Sequence, residues 1–547
     1  MHWSQNYDPL QNSFLSTLIA GLPVVVLLGS IAILKMRIHF SALLGLAVAL
    51  AVALFAYGMP IKAATATTLY GAGFGLFPIG WIILNLIFLY QLTVNKGLFA
   101  VLRSHLANLA PDPRIQIILI AFSFGAFFEG AAGFGTPVAV TAAILIQLGF
   151  KPLSACGLSL IANTAPVAYG ALGTPILTLA KVTGLDALKL SAMAGRQLPF
   201  FSLLVPFWVV WAFTGWRGMM GVWPAAFVAG AAFALPQFLV ANYHGPWLVD
   251  IVAAICSVAA TALLLHFWKP KQIWPHECAA AASSPLAKEH YPASELIRAW
   301  MPWILLSALV FLWGLPATKK LLDGMAAFKF PVPFLHQVVQ RVPPVAPINA
   351  APDEAIYTLN ILSATGTGIL VAAILSGWLM KFRLGELARI YCETLVRVRF
   401  SLVTIAAMLA LGYVTKYSGT DATLGLALAH TGALYPFCGT LLGWLGVALT
   451  GSDTASNVLF GNLQRISSEQ LGLSPILMCA ANSTGGVMGK MVDAQSIVVA
   501  STATNWYGHE GAILRYVFFH SLALAALVGI LVWLQANVAP FANMVVR

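Results

Sequence analysis

Charge is scarce in this chain of 547 residues: Asp, Glu, Lys and Arg make up 9% of it and hydrophobic residues 60%. A soluble globular protein is about a quarter charged, so this composition excludes an ordinary water-solvated surface. The six cysteines (Cys156, Cys256, Cys278, Cys392, Cys438 and Cys479) include no CxxC pair, which argues against a disulfide framework and against a zinc site. No HExxH, nucleophile elbow, nucleotide-binding loop or metal-ligand set occurs, so no enzyme chemistry, cofactor or metal is expected. Met1 to Ser13 holds no Lys or Arg, and a secretory signal without its basic flank is not expected to be cleaved. The formal charge is +11, but the 29 Lys and Arg residues are spread over short connections instead of forming one basic domain. Nucleic acid is therefore not the expected partner.

What the chain has instead is long apolar runs. Phe14 to Leu34, Phe40 to Tyr57, Trp247 to His266 and Tyr516 to Trp533 each approach the ~20 residues needed to cross a hydrocarbon core. Other apolar segments are shorter and joined through Gly-rich stretches, the pattern of re-entrant or broken helices. The expected fold is an all-α polytopic membrane protein of about 12 to 14 membrane segments, with inverted repeats. Basic residues cluster at Lys35 and Arg37, at Lys96, Arg103 and Arg114, at Lys269 to Arg298 and at Lys381 to Arg399. The positive-inside rule makes those loops cytoplasmic and the N-terminus external. The Pro-rich loop Ala317 to Ile356 then falls outside although it carries Lys319, Lys320, Lys329 and Arg341. Residues 269–298 are polar and without apolar period, which predicts a cytoplasmic linker between a half at 1–268 and a half at 299–547. His276, Cys278 and His290 in it satisfy no metal-ligand spacing.

Two places in opposite halves match each other. In the first, an apolar span ends at Phe128-Glu129-Gly130-Ala131-Ala132-Gly133-Phe134-Gly135-Thr136, and Asn163-Thr164 follows 33 residues after Gly130. In the second, a span ends at Gly451-Ser452-Asp453-Thr454, and Asn482-Ser483-Thr484 follows 31 residues after Gly451. Each unit is an acid-bearing turn of small residues, an apolar return helix, and an Asn-Ser/Thr break inside another span. On the expected topology one turn is reached from the cytoplasm and the other from outside, as an inverted repeat requires.

Inside a bilayer a helix break strands peptide groups without water, so breaks persist only where protein or an aqueous cavity surrounds them. Freed N–H groups and the positive end of a half-helix suit a carboxylate. Gly130, Gly133 and Gly135 would let backbone approach such a ligand, with Thr136, Asn163, Thr164, Ser452, Thr454, Asn482, Ser483 and Thr484 as neutral donors. The glycines alone would equally serve helix packing; the duplication favours a site.

Glu129 and Asp453 stand at equivalent places in apolar sequence, where an ionised acid costs at least ~2.5 kcal/mol. Loss of water favours the neutral carboxyl, which makes both candidates for carrying a proton, with helix capping as the alternative role. Lys490 is a possible charge partner for a substrate carboxylate, for Asp453 or for Asp493, or else reaches the cytoplasmic face. His430, His509 and His520 read as interface residues before proton relays.

These strings also carry a resemblance. With Gln5-Asn6-Tyr7-Asp8-Pro9, Gly149-Phe150-Lys151-Pro152-Leu153, Gly195-Arg196-Gln197-Leu198-Pro199-Phe200, Leu442-Gly443-Trp444-Leu445-Gly446 and Gly485-Gly486-Val487-Met488-Gly489-Lys490-Met491, the chain resembles the lactate permease family, which includes glycolate permeases, over nearly its full length. The resemblance implies a symporter of the bacterial inner membrane that moves L-lactate, often D-lactate and glycolate, with protons, and kinship with the ion transporter superfamily. The chain departs from the family at Val492-Asp493-Ala494, where Ile-Ser-Pro is usual, and at Thr136, where Ala is common. Expected partners are thus a small 2-hydroxy monocarboxylate, a proton and the lipid bilayer. A sodium-coupled carboxylate transporter and an anion channel stay open as alternatives, as does the oligomeric state.

Overall fold

A computed structural model of the protein describes residues 3–32, 34, 36, 38–98, 101, 111–131, 133, 135–275, 292–347, 350–429 and 431–546. Lys35, Arg37, Arg103, Ala132, Phe134, His276, Cys278, His290 and His430 lie outside the described residues, as does the middle of the expected linker.

Helix is the one conformation that satisfies every peptide group within its own segment when water is absent, and the apolar runs adopt it. Among the described residues nine helices are long and apolar enough to cross a membrane, or eleven when two bent pairs each count as one span. The bent pairs are Pro152–Ala162 with Val167–Thr183, at 64°, and Leu384–Phe400 with Leu402–Ser418, at 46°. Three shorter apolar helices, Ser13–Leu27, Thr136–Gln147 and Thr365–Leu379, accompany them. The described strands are short and peripheral: Trp3–Ser4 pairs in parallel with Val339–Gln340, and Ala327–Pro331 pairs antiparallel with Ile356–Asn360. The first pair holds the N-terminus and the Pro-rich loop at one end of the bundle, in keeping with their assignment to a common side.

Lipid tails are as apolar as leucine, so helices in a bilayer associate by close approach instead of by hydrophobic burial. Gly71 and Gly75 show this between Ile61–Phe74, its continuation, and Leu384–Ser418. A β-carbon at Gly71 would stand 2.6 Å from Ala410 Cα, and one at Gly75 2.9 Å from Ala406 Cα.

The duplicated units form two hairpins and two broken spans. The first hairpin runs from Pro113 through a π-helical stretch, Ile117–Phe124, to Gly125–Ala131, and returns as Thr136–Gln147. The second is Tyr435–Thr450 and Asp453–Gln470. They enter the bundle from opposite ends. Cys156, just past the base of the first hairpin, has its Sγ 3.3 Å from Thr504 Oγ1, at the far end of the second broken span. Arg465, near the base of the second hairpin, donates to the carbonyl of Thr183, at the far end of the first broken span. Each return helix also packs on the other unit: Gly135 lies against Val499, and Gly461 makes room for Leu179.

Candidate functional site

The first hairpin tip is built on two glycines with positive φ, Gly133 at 61° and Gly135 at 83°. A side chain there would be strained, because L-residues rarely enter the left-handed region. Just before the tip, Glu129 is 3% exposed, and its Oε2 accepts a hydrogen bond of 3.1 Å from Asn163 Nδ2. Asn163 begins the break of the following span, where the chain turns through Ala171, Leu172 and Gly173, all with positive φ (46°, 57° and 77°). Two consecutive non-glycine residues in that region hold strain, which persists where surrounding packing imposes it and clusters at functional sites.

The second tip repeats the plan with other residues. Gly451, at φ 72°, ends the incoming helix, and Ser452 caps the return helix by accepting a 3.3 Å bond from the Ala455 amide. Asp453 occupies the first turn of that helix, where the dipole favours negative charge. Its Oδ2 accepts from the Ser483 hydroxyl, while Oδ1 is buried with no hydrogen-bond partner among the described residues. Glu129 with Asn163 and Asp453 with Ser483 are thus the same contact made twice, tip acid to following span.

One expectation fails in the second unit. Asn482, Ser483 and Thr484 do not break their span; helix Pro475–Gly489 runs through them, and the interruption falls at 490–493. No proline follows them as Pro166 follows Asn163-Thr164, and their side chains bond neighbouring helices. Asn482 donates to Asn457 Oδ1 at 2.9 Å and accepts from Gln464 at 3.1 Å, and Thr484 donates to Gln197 Oε1 at 2.7 Å. At the true break Asp493 Oδ1 accepts the Ser496 amide at 2.7 Å, an N-terminal cap. Lys490, 4% exposed, donates to the Gly451 carbonyl at 2.6 Å, and its Nζ lies 3.4 Å from Asp493 Oδ2. Of its two expected roles, Lys490 thus turns inward to a partner.

Both tips open on one cavity of about 300 Å³. Of the residues singled out by sequence, Glu129, Gly133, Ser452, Asp453, Thr454 and Lys490 line it. Asn163, Ser483 and Asp493 stand behind them, bonded to Glu129, Asp453 and Lys490, whereas Asn482 and Thr484 lie farther back, bonded to residues that do not line the cavity. Gly130 packs instead against Asp250, Gly135 against Val499, and Thr164 Oγ1 turns back to the Ile161 carbonyl at 2.8 Å. Thr136 is buried with its hydroxyl unpartnered among the described residues. The opposite wall comes from outside the duplicated units: Phe74, Leu409, Tyr413 and Lys416.

Sequence reasoning missed Lys416 and Asp250, although the rule that flagged Glu129, a charge inside apolar sequence, applies to both. Lys416 lies in the last turn of helix Leu384–Ser418, and nothing local in the sequence shows that it faces the cavity. Asp250, 1% exposed, has neither carboxylate oxygen hydrogen-bonded among the described residues. Among the described residues no three His, Cys, Asp or Glu side chains gather as a metal site would need.

The chain is similar to known proteins over nearly its whole length. The L-lactate permease family profile matches residues 16–539. The glycolate permease GlcA of Escherichia coli K12 is 45% identical over 552 residues, with 98% of each chain covered. The L-lactate permease of the same organism is 44% identical over 543 residues, again with 98% of each covered. That of Bacillus subtilis 168 is 41% identical over 563 residues, covering 98% of this chain and 99% of the relative. Apolar helices throughout, hairpins meeting at a cavity that holds buried acids and lysines, and full-length similarity together lead to one conclusion: this multi-pass bacterial membrane transporter belongs to the L-lactate permease family.

Proposed function

We propose that the chain carries L-lactate, and with it D-lactate and glycolate, into the cell together with a proton by alternating access. The observation that carries this reading is the convergence of two oppositely entering hairpin tips, each bearing a buried carboxyl, on one cavity that also holds lysine. A volume of about 300 Å³ is at the small end of ligand sites and suits a three-carbon acid. The names L-lactate and glycolate come from the similar permeases of Escherichia coli and Bacillus subtilis, and D-lactate is added because the family resemblance implies it.

In this reading the anion sits between the tips, held by Gly133 and the hydroxyls of Ser452 and Thr454, with Asn163 and Ser483 orienting the acids that face it and Asn482 and Thr484 bracing the helix behind them. Glu129 or Asp453 takes the proton, so that the loaded site moves without net charge from a monoanion. The halves 1–268 and 299–547, joined through 269–298, bring their hairpins past each other to expose the site to either side. Lys490 and Asp493 fix the second tip.

The test is uptake of labelled lactate and glycolate into proteoliposomes under a pH jump without sodium. Wild type is expected to accumulate both, and Glu129→Gln or Asp453→Asn to lose accumulation. Undiminished proton-driven uptake in both variants refutes the coupling; accumulation that needs sodium transfers the reading to a sodium-coupled carrier, and flux without accumulation to a channel.

A further inference from the structure

Two lysines border the cavity, and they differ in what holds them. Lys490 is already engaged by the Gly451 carbonyl and by Asp493. Lys416 is not. It is half-buried on Leu384–Ser418, and among the described residues its ammonium has neither a hydrogen-bond acceptor nor a carboxylate within ion-pair distance. Its Nζ stands over the rings of Tyr417 and Tyr413, 5.0 and 6.0 Å from their centroids. The nearby Arg341 is occupied, paired with Asp353 at 3.1 Å.

The end of the helix that presents Lys416 is held in place by the N-terminal segment, since Gln5 Nε2 donates at 3.0 Å to the carbonyls of both Lys416 and Tyr417. The cavity's own acids do not reach for the lysine: Glu129 is bonded to Asn163 and Asp453 to Ser483. A cation withdrawn from water is costly unless an anion or acceptors compensate it. Here the surroundings supply two aromatic faces and open volume, while the carboxylates of Asp353 and Asp421 act on the lysine from beyond ion-pair distance, held by Arg341 and by the Thr415 hydroxyl.

We propose that Lys416 is the group that takes the carboxylate of the transported acid, and that it distinguishes the anion from neutral analogues of the same shape. This rests on the reading of the cavity as the hydroxy-acid site. A bound carboxylate places its charge on Lys416, while its hydroxyl-bearing end faces the hairpin tips, where Glu129, Asp453 and the Ser452 and Thr454 hydroxyls offer hydrogen-bond partners. Lys490 then belongs to the tip's architecture and Lys416 to recognition.

The test uses the purified full-length protein and the same variants in proteoliposomes. Thermal stabilisation is measured against potassium L-lactate, glycolate and uncharged lactamide at constant ionic strength. Wild type is expected to respond to both acids and not to lactamide. Lys416→Met, or Lys416→Gln if the Met variant does not fold, is expected to need roughly 10- to 100-fold more lactate for the same shift and for half-maximal uptake, the effect of losing one charged hydrogen bond. Lys416→Arg, which keeps the charge, is expected to retain the preference for lactate over lactamide. A folded Met or Gln variant with wild-type lactate response overturns the assignment. If wild type ignores lactate and glycolate but responds to acetate in a Lys416-dependent way, the assignment stands and the hydroxy-acid reading fails.

Discussion

A methyl group is all that separates Gly170 from alanine, yet it would stand 2.5 Å from Glu129 Oε1. Gly170→Ala must therefore push the Glu129 carboxyl off Asn163. Uptake is expected to fall by roughly tenfold or more, the scale of misplacing a positioned group, with the protein still folded. Gly29→Ala is the control, since a β-carbon there meets nothing within 4 Å; equal loss in both variants would show that the effect is not local to Glu129. Lys490 makes a second case at this scale. Lys490→Met strands Asp493, which is fully buried, and breaking such a pair on one side costs about 3 to 5 kcal/mol. The melting temperature should fall markedly in Lys490→Met and much less in Lys490→Met with Asp493→Asn. Equal destabilisation by the single and double variants would mean that the pair is not coupled.

At the scale of elements, the second hairpin is sewn together by amides. Gln464 accepts from Tyr435 Oη at 2.8 Å and donates to the Gly439 carbonyl at 2.6 Å and to Asn482 Oδ1 at 3.1 Å. Gln464→Leu leaves those groups without this partner, and each unsatisfied buried group costs about 1 to 3 kcal/mol. The variant is expected to melt well below wild type and transport poorly, whereas Gln470→Ala on the exposed face of the same helix should change little. An unchanged melting profile for Gln464→Leu would show that the hairpin does not depend on this seam. The same network explains why the second break was misplaced by sequence. Asn482-Ser483-Thr484 looks like Asn163-Thr164 in composition, but Asn163-Thr164 is followed by Pro166, which cannot continue a helix, whereas the second cluster has no such proline and needs only partners for its side chains. Asn457, Gln464 and Gln197 supply them, and the helix continues to Gly489.

For the whole molecule, the cavity lies between the hairpin units and the helices Ile61–Phe74 and Leu384–Ser418, on the side where Arg341 of the Pro-rich loop donates to the Val458 carbonyl at 3.4 Å. Alternating access then predicts that Val458→Cys, in a background without native cysteines, reacts with an impermeant thiol reagent added outside, and that saturating L-lactate slows the reaction. A rate indifferent to lactate would count against a substrate-controlled opening there. Composition and hydropathy alone determined that this chain is helical and membrane-embedded, because nine in a hundred charged residues cannot coat a soluble surface and peptide groups in lipid must pair within the segment. Chain-local pattern also sufficed to find the two acidic turns as a duplicated unit, since a turn of glycines beside a costly carboxyl is visible without coordinates. Only the tertiary structure decided that the two turns share one cavity, that Lys490 is already spoken for, and that Lys416, in a helix outside both units, faces the same space. Those are relations between residues far apart in sequence, and they follow from which helix faces can approach and which polar groups find partners there.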